Sequence, residues 1–135
     1  MSIKGGSYAR YRRSLASLDP RLVWPAALEV GKLAQLHDAL ALVLVLSLGD
    51  RAAVIGPDLT VGEAYQRARA KWLGRLQERL SLPWPDREAI DRALAMLPAG
   101  EYQAAAIADL EAALRRHPVP ECVSEIEAFQ ERLDG

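Results

Sequence analysis

The sequence predicts an all-α fold, a single compact bundle of five or six helices around one buried central helix. Half of the 135 residues are hydrophobic while aromatics reach only 6%, a balance rich in Ala and Leu that favours helices over packed sheets. Apolar residues recur at three- and four-residue spacing along most of the chain, the period of a helix with one buried face. The stretch 39–48, ALALVLVLSL, is apolar almost all round, as a helix at the centre of a bundle is. The length is close to that of one ordinary domain, here 7–135 after a flexible start at 1–6.

The first helix is expected over 7–18, with Tyr8, Tyr11, Leu15 and Leu18 on one face and Asp19-Pro20 as its stop, because the residue before proline avoids the α region. Pro25 suits the first turn of a second helix. Leu28, Leu33, Leu36 and Leu40 start a stripe that runs on into the apolar stretch, making 28–48 the central helix, with Gly49 as a left-handed stop. The alternative is an α+β fold with a small hairpin at about 41–56, since Leu alternates with Val there and periodicity alone cannot decide.

Thr60-Val61-Gly62-Glu63 fits a capping box and opens a helix to about Leu80, with Tyr65, Ala68, Trp72, Leu76 and Leu80 inward. After Leu82-Pro83-Trp84-Pro85, the next helix buries Ile90, Ala93, Leu94 and Leu97. One over 101–116 turns Tyr102, Ala106, Leu110, Ala113 and Leu114 inward, and a last one carries Cys122, Ile126, Phe129 and Leu133. Trp24-Pro25 and Trp84-Pro85 each place Trp-Pro before an apolar run, where a tryptophan can staple a helix entrance.

No catalytic constellation is present. His37 and His117 lack the spacing of a di-metal bundle, and one cysteine cannot build a thiolate zinc site. The scattered glycines form no phosphate-binding loop, and no serine has the flanks of a hydrolase elbow. No catalytic residue, cofactor or metal is therefore assigned; His37-Asp38 is the least implausible reactive centre. The lone Cys122 suits a reducing cytoplasm. The longest apolar run is about ten residues, half of what a bilayer span needs, and the N-terminus lacks a signal-peptide core.

Charge is more informative. The net charge is only −1, yet residues 1–21 carry Lys4, Arg10, Arg12, Arg13 and Arg21 against Asp19 alone, while 101–135 is strongly acidic. Arg67, Lys71, Arg75 and Arg79 recur every four residues, a slanting ridge on one helix. Segregated charge suits heterologous contacts, so the expected function is a non-enzymatic binding or assembly module, a small subunit of a larger complex with protein partners. The alternative is a nucleic-acid-backbone binder, with the ridge on phosphates and a basic arm containing Lys4, Arg10, Arg12 and Arg13 beside stacking Tyr8 and Tyr11. An accessory factor for an enzyme is a third reading. Trp24 and Trp84 are the interface aromatics expected in a protein contact, including self-association.

Overall fold

The computed structural model describes residues 3–135, and the side chains of Ile3, Lys4 and Gly5 lie outside that description. Helix α1 (Ile3–Ser14) starts ahead of the expected position and ends in a 3-10 turn, Leu15–Ser17, closed by left-handed Leu18. Helix α2 (Pro20–Val30) begins before Pro25, because the Asp19 carboxylate accepts the Arg21 N–H at 2.9 Å and Pro20 takes the first helical position. Pro25 therefore lies inside the helix, and Trp24 is not at its entrance.

The stripe expected to form one helix over 28–48 is divided. Gly31, at φ 85°, donates its N–H to the carbonyls of Ala27 and Leu28 and stops α2; a residue with a Cβ would be strained there. Residues 31–35 run without helix to α3 (Leu36–Leu46), in which every position from 40 to 46 is buried. Gly49 is not the left-handed stop. Its backbone passes so close to α2 and the start of the next long helix that a Cβ would sit 2.9 Å from Pro20 Cγ and 3.0 Å from Val61 Cγ1.

The ambiguous region resolves in favour of helix, with a minor hairpin beyond it. Strands β1 (Val54–Gly56) and β2 (Leu59–Thr60) pair antiparallel, Val54 with Thr60 and Gly56 with Leu59. Helix α4 (Val61–Leu80) follows at once. Its capping box is formed: Thr60 Oγ1 accepts the Glu63 N–H at 3.2 Å, and Glu63 Oε1 accepts the Thr60 N–H at 3.1 Å. Helices α5 (Trp84–Met96), α6 (Gln103–Arg115) and α7 (Pro120–Asp134) complete the described chain.

Helix α3 is covered by α4, by α7 and by α2, with α1 laid along α2; α5 and α6 pair beside α7. Tyr65 donates its hydroxyl to the Leu94 carbonyl, tying α4 to α5. The inward faces follow the periodicity with four departures: Tyr8, Leu28, Tyr102 and Leu133 are exposed. No helix of the described residues is long and apolar enough to cross a membrane.

Two measurements check these details. Cys122 is buried on α7 and its thiol is pushed up to about 12 by that burial. Iodoacetamide at pH 8 should leave it unmodified in the folded protein and alkylate it in denaturant, since only the thiolate reacts. Thr60→Ala removes the α4 cap and should cost about 1 kcal/mol in a urea melt. Glu63 is held below its ordinary value chiefly by the Thr60 backbone N–H. The stability it contributes is present above the unfolded value and is lost as pH falls through the folded one. That acid-side loss should largely persist in the variant, which keeps the backbone N–H at that position and loses only the smaller hydroxyl contribution.

Candidate functional site

A cleft of about 540 Å³ with a distinctive chemistry lies between α2, α3 and α4, within the size range of ligand sites. Its origin lies in residue size. Ala27 on α2, Ala39 on α3 and Ala68 on α4 face the space, so three helices that would close over a larger side chain leave it open. Trp72 forms part of the wall, and its buried indole N–H has no hydrogen-bond partner among the described residues. Leu28 forms an exposed lip, because the break at Gly31 ends α2 before another turn can cover it.

All the ionisable groups lining the cleft are cations: Lys32, Arg67, Lys71 and Arg75. Arg67 and Lys71 stand one turn apart on α4, about 6 Å along its axis, with Ala68 and Trp72 beside them on the apolar side. Arg75 has a different task. Its guanidinium donates to the carbonyls of Leu33 and Ala34, both at 2.8 Å. These are chain atoms between α2 and α3 that no helix satisfies, and their capture by a cation fixes one wall of the cleft. Lys32, Arg67 and Lys71 form no salt bridge among the described residues, whereas Arg10, Arg12, Arg69 and Arg116 each do.

A second polar feature lies between α1, α3 and α7. Asp38 and Glu125 have almost wholly buried carboxylates, and Arg12 Nη1 donates to both, at 3.1 Å to Asp38 Oδ1 and 2.8 Å to Glu125 Oε1. Tyr8 donates its hydroxyl to Asp38 Oδ1 at 3.1 Å, and buried Tyr11 donates to the Asp38 carbonyl at 2.6 Å. Arg132 Nη1 stands 3.8 Å from Glu125 Oε2. Removing one member of such a cluster leaves a buried charge uncompensated.

The structure disperses the residues singled out from sequence. Arg67, Lys71 and Arg75 meet at the cleft with Trp24, while Arg79 lies exposed one turn farther along α4. Arg10 pairs with Glu29, Arg12 joins the buried carboxylates, Arg13 is exposed, and Lys4 is outside the described side chains. Tyr11 is core and Tyr8 is engaged with Asp38, so α1 presents no pair of free stacking tyrosines. Trp84 is 67% exposed at the start of α5 and is not among the residues that line the cleft. His37 Nε2 is 3.7 Å from Asp38 Oδ1, and His117 Nε2 is 2.7 Å from Asp86 Oδ2, joining the end of α6 to the start of α5. No group of three or more metal-ligating side chains occurs among the described residues.

The sequence gives Lys32 and Ala27 no role, and it marks Ala39 and Ala68 only as residues of apolar faces. Lys32 lies between Gly31 and Leu33, and only the chain break shows that it faces the same opening as α4. The alanines carried a faint signal, small residues interrupting otherwise large apolar stripes.

Arg12→Leu should cost about 3 kcal/mol in chemical denaturation, the lower end of what breaking a buried pair costs, because a third of the Arg12 side chain reaches solvent. Adding Asp38→Asn and Glu125→Gln to that variant should recover most of the loss. A single variant as stable as the parent would mean that water already compensates both carboxylates.

Compared with known proteins, the chain matches no family model, no curated protein and no solved structure.

Proposed function

We propose that this chain is a non-enzymatic binding module that receives a protein partner in the cleft between α2, α3 and α4, as a small subunit of a larger assembly. The observation that carries the reading is the pairing of an apolar hollow with a rim of unpaired cations. Apolar wall residues reward burial at about 25 cal/mol per Å², and the rim supplies orientation and selects against basic partners. The residues that line the opening include lysine and arginine but no histidine, carboxylate, hydroxyl or thiol. A lone buried thiol, Cys122, suits a reducing compartment, so we place the module in the cytoplasm.

The competing reading, a contact to a nucleic-acid backbone, is less well supported. Its arm would need Arg10 and Arg12, which are engaged with Glu29, Asp38 and Glu125, and Tyr11, which is buried. Its ridge would lose Arg75 to the carbonyls of Leu33 and Ala34. Phosphodiester also gains nothing from a wall of Leu, Ala and Trp side chains.

The test uses 8-anilinonaphthalene-1-sulfonate, an apolar aromatic with one negative charge. It should bind the folded protein with a rise in fluorescence. Ala68→Trp, which fills the hollow, should weaken binding by about tenfold or more, some 1.4 kcal/mol. Leu28→Glu, on the exposed lip, should weaken it without disturbing the far-ultraviolet circular dichroism. Fluorescent single- and double-stranded DNA and RNA, titrated at low and raised salt, should not bind. A dye that ignores both variants would overturn the cleft as the receiving site. Salt-sensitive nucleic-acid binding lost with Arg67→Gln and Lys71→Gln would restore the competing reading.

A further inference from the structure

Resting on that reading of the cleft, we propose that its occupant is an acidic amphipathic helix of the partner, with two carboxylates one turn apart set against Arg67 and Lys71 and apolar side chains filling the hollow between α2 and α4. Charge complementarity carries the choice. The other arginines of this protein mostly find carboxylates within the fold, as Arg10, Arg12, Arg69, Arg92, Arg115 and Arg116 do. Arg67 and Lys71 form no salt bridge among the described residues, although Glu63 stands one turn before Arg67 and feels its charge as the smallest of the influences that lower its pKa. The Glu63 carboxylate is turned back to the N–H and hydroxyl of Thr60 in the capping box. Two cations left unpaired at one-turn spacing are matched by acidic residues at i and i+4, or i and i+3, of a second helix. Lys32 across the opening supplies a third attraction on the opposite lip.

Shape narrows the occupant further. A helix with its side chains is about 10–12 Å across, too wide to sink into about 540 Å³. The hollow admits side chains, with the backbone of the occupant lying along the rim, which is how an amphipathic helix seats its anchors in a groove. Rigidity favours the same mode. Arg75 locks the 33–34 carbonyls at 2.8 Å, so the wall opposite α4 is set before binding and little ordering is left to oppose association.

The experiment is selection of a phage-displayed library of helical peptides, about 16 randomised residues and roughly 24 Å long, on the full chain and on the Ala68→Trp chain in parallel. Peptides enriched only on the parent protein should carry Asp or Glu at one-turn spacing beside a run of large apolar residues. Selection on the Arg67→Glu, Lys71→Glu double variant, whose altered side chains are exposed, should instead enrich Lys and Arg at those places. This swap would not follow from a merely structural effect of the substitutions. Cleft-dependent peptides without acidic enrichment would overturn the acidic occupant while leaving the cleft as a docking site. No cleft-dependent peptide, with the dye still binding and displaced by decanoate, would overturn the helix in favour of a small anionic amphiphile. Failure of the dye to respond to Ala68→Trp and Leu28→Glu would remove the underlying reading itself.

Discussion

A helix with no polar face must be covered on every side, and α3 imposes that demand on the whole molecule. From Leu40 to Leu46 its residues are buried without a gap, and so is Ser47 directly after it. Even Ser47 turns its hydroxyl back to the Leu44 carbonyl at 2.6 Å rather than to solvent. Coverage comes from α4 and α7 packed directly on it, from α2, and from α1 resting on α2. The elements therefore differ in how hard they are held. Burial of each large apolar side chain on α3 is worth about 1.5–3 kcal/mol, so the central contacts leave little freedom. The freedom that remains lies where the cover is thin.

The cover is thinnest at the cleft, and the reason is local. Toward α2 and α4, α3 presents Ala39 and Leu42, while the facing positions are Ala27 and Ala68. Three alanines meeting at one place leave a hollow in a structure that otherwise packs Trp72, Tyr65 and Phe129 to full burial. The break at Gly31 adds to it. A continuous helix over 28–48 would carry its own side chains across the opening, whereas the irregular 31–35 segment places Lys32 and Leu33 at the edge. The hollow and its cationic rim thus share one cause, the interruption of the central stripe.

Much of the fold was legible because burial and periodicity agree on α4, α5, α6 and α7. Thr60 and Glu63 state the start of α4 in four letters, and Ile90, Ala93, Leu94 and Leu97 mark the inner face of α5 before any coordinate is seen. The central region was less legible for a physical reason: when both faces of a segment are apolar, period no longer distinguishes helix from strand, nor one helix from two. Gly49, at the end of the apolar run, is where the sequence places the stop, while Gly31 lies inside the stripe and gives no sign of a break. In the fold Gly31 ends α2 by its positive φ, while Gly49 is small because Pro20 and Val61 crowd it. For the site, the α4 cations were visible in sequence, but their separate fates depend on distant partners. Nothing near Arg75 announces that the Leu33 and Ala34 carbonyls, some forty positions away, will need donors.

The same long-range logic accounts for the charge segregation. The basic N-terminal segment and the acidic C-terminal segment look like two surfaces awaiting two partners. In the folded chain part of that charge is consumed internally: Arg12 bridges Asp38 and Glu125, fastening α1 to α3 and α7 across more than a hundred residues of sequence. With Arg132 3.8 Å from Glu125, the cluster sets two cations against two carboxylates, and charge balanced in this way does little to steer a partner. Arg67 and Lys71 stay outside this internal accounting: Glu63, one turn before Arg67, is held by its cap, and Glu78 lies seven residues beyond Lys71. What distinguishes a binding cation from a structural one here is therefore which acceptors the fold has left over, and along α4 it leaves none for these two beside an apolar opening.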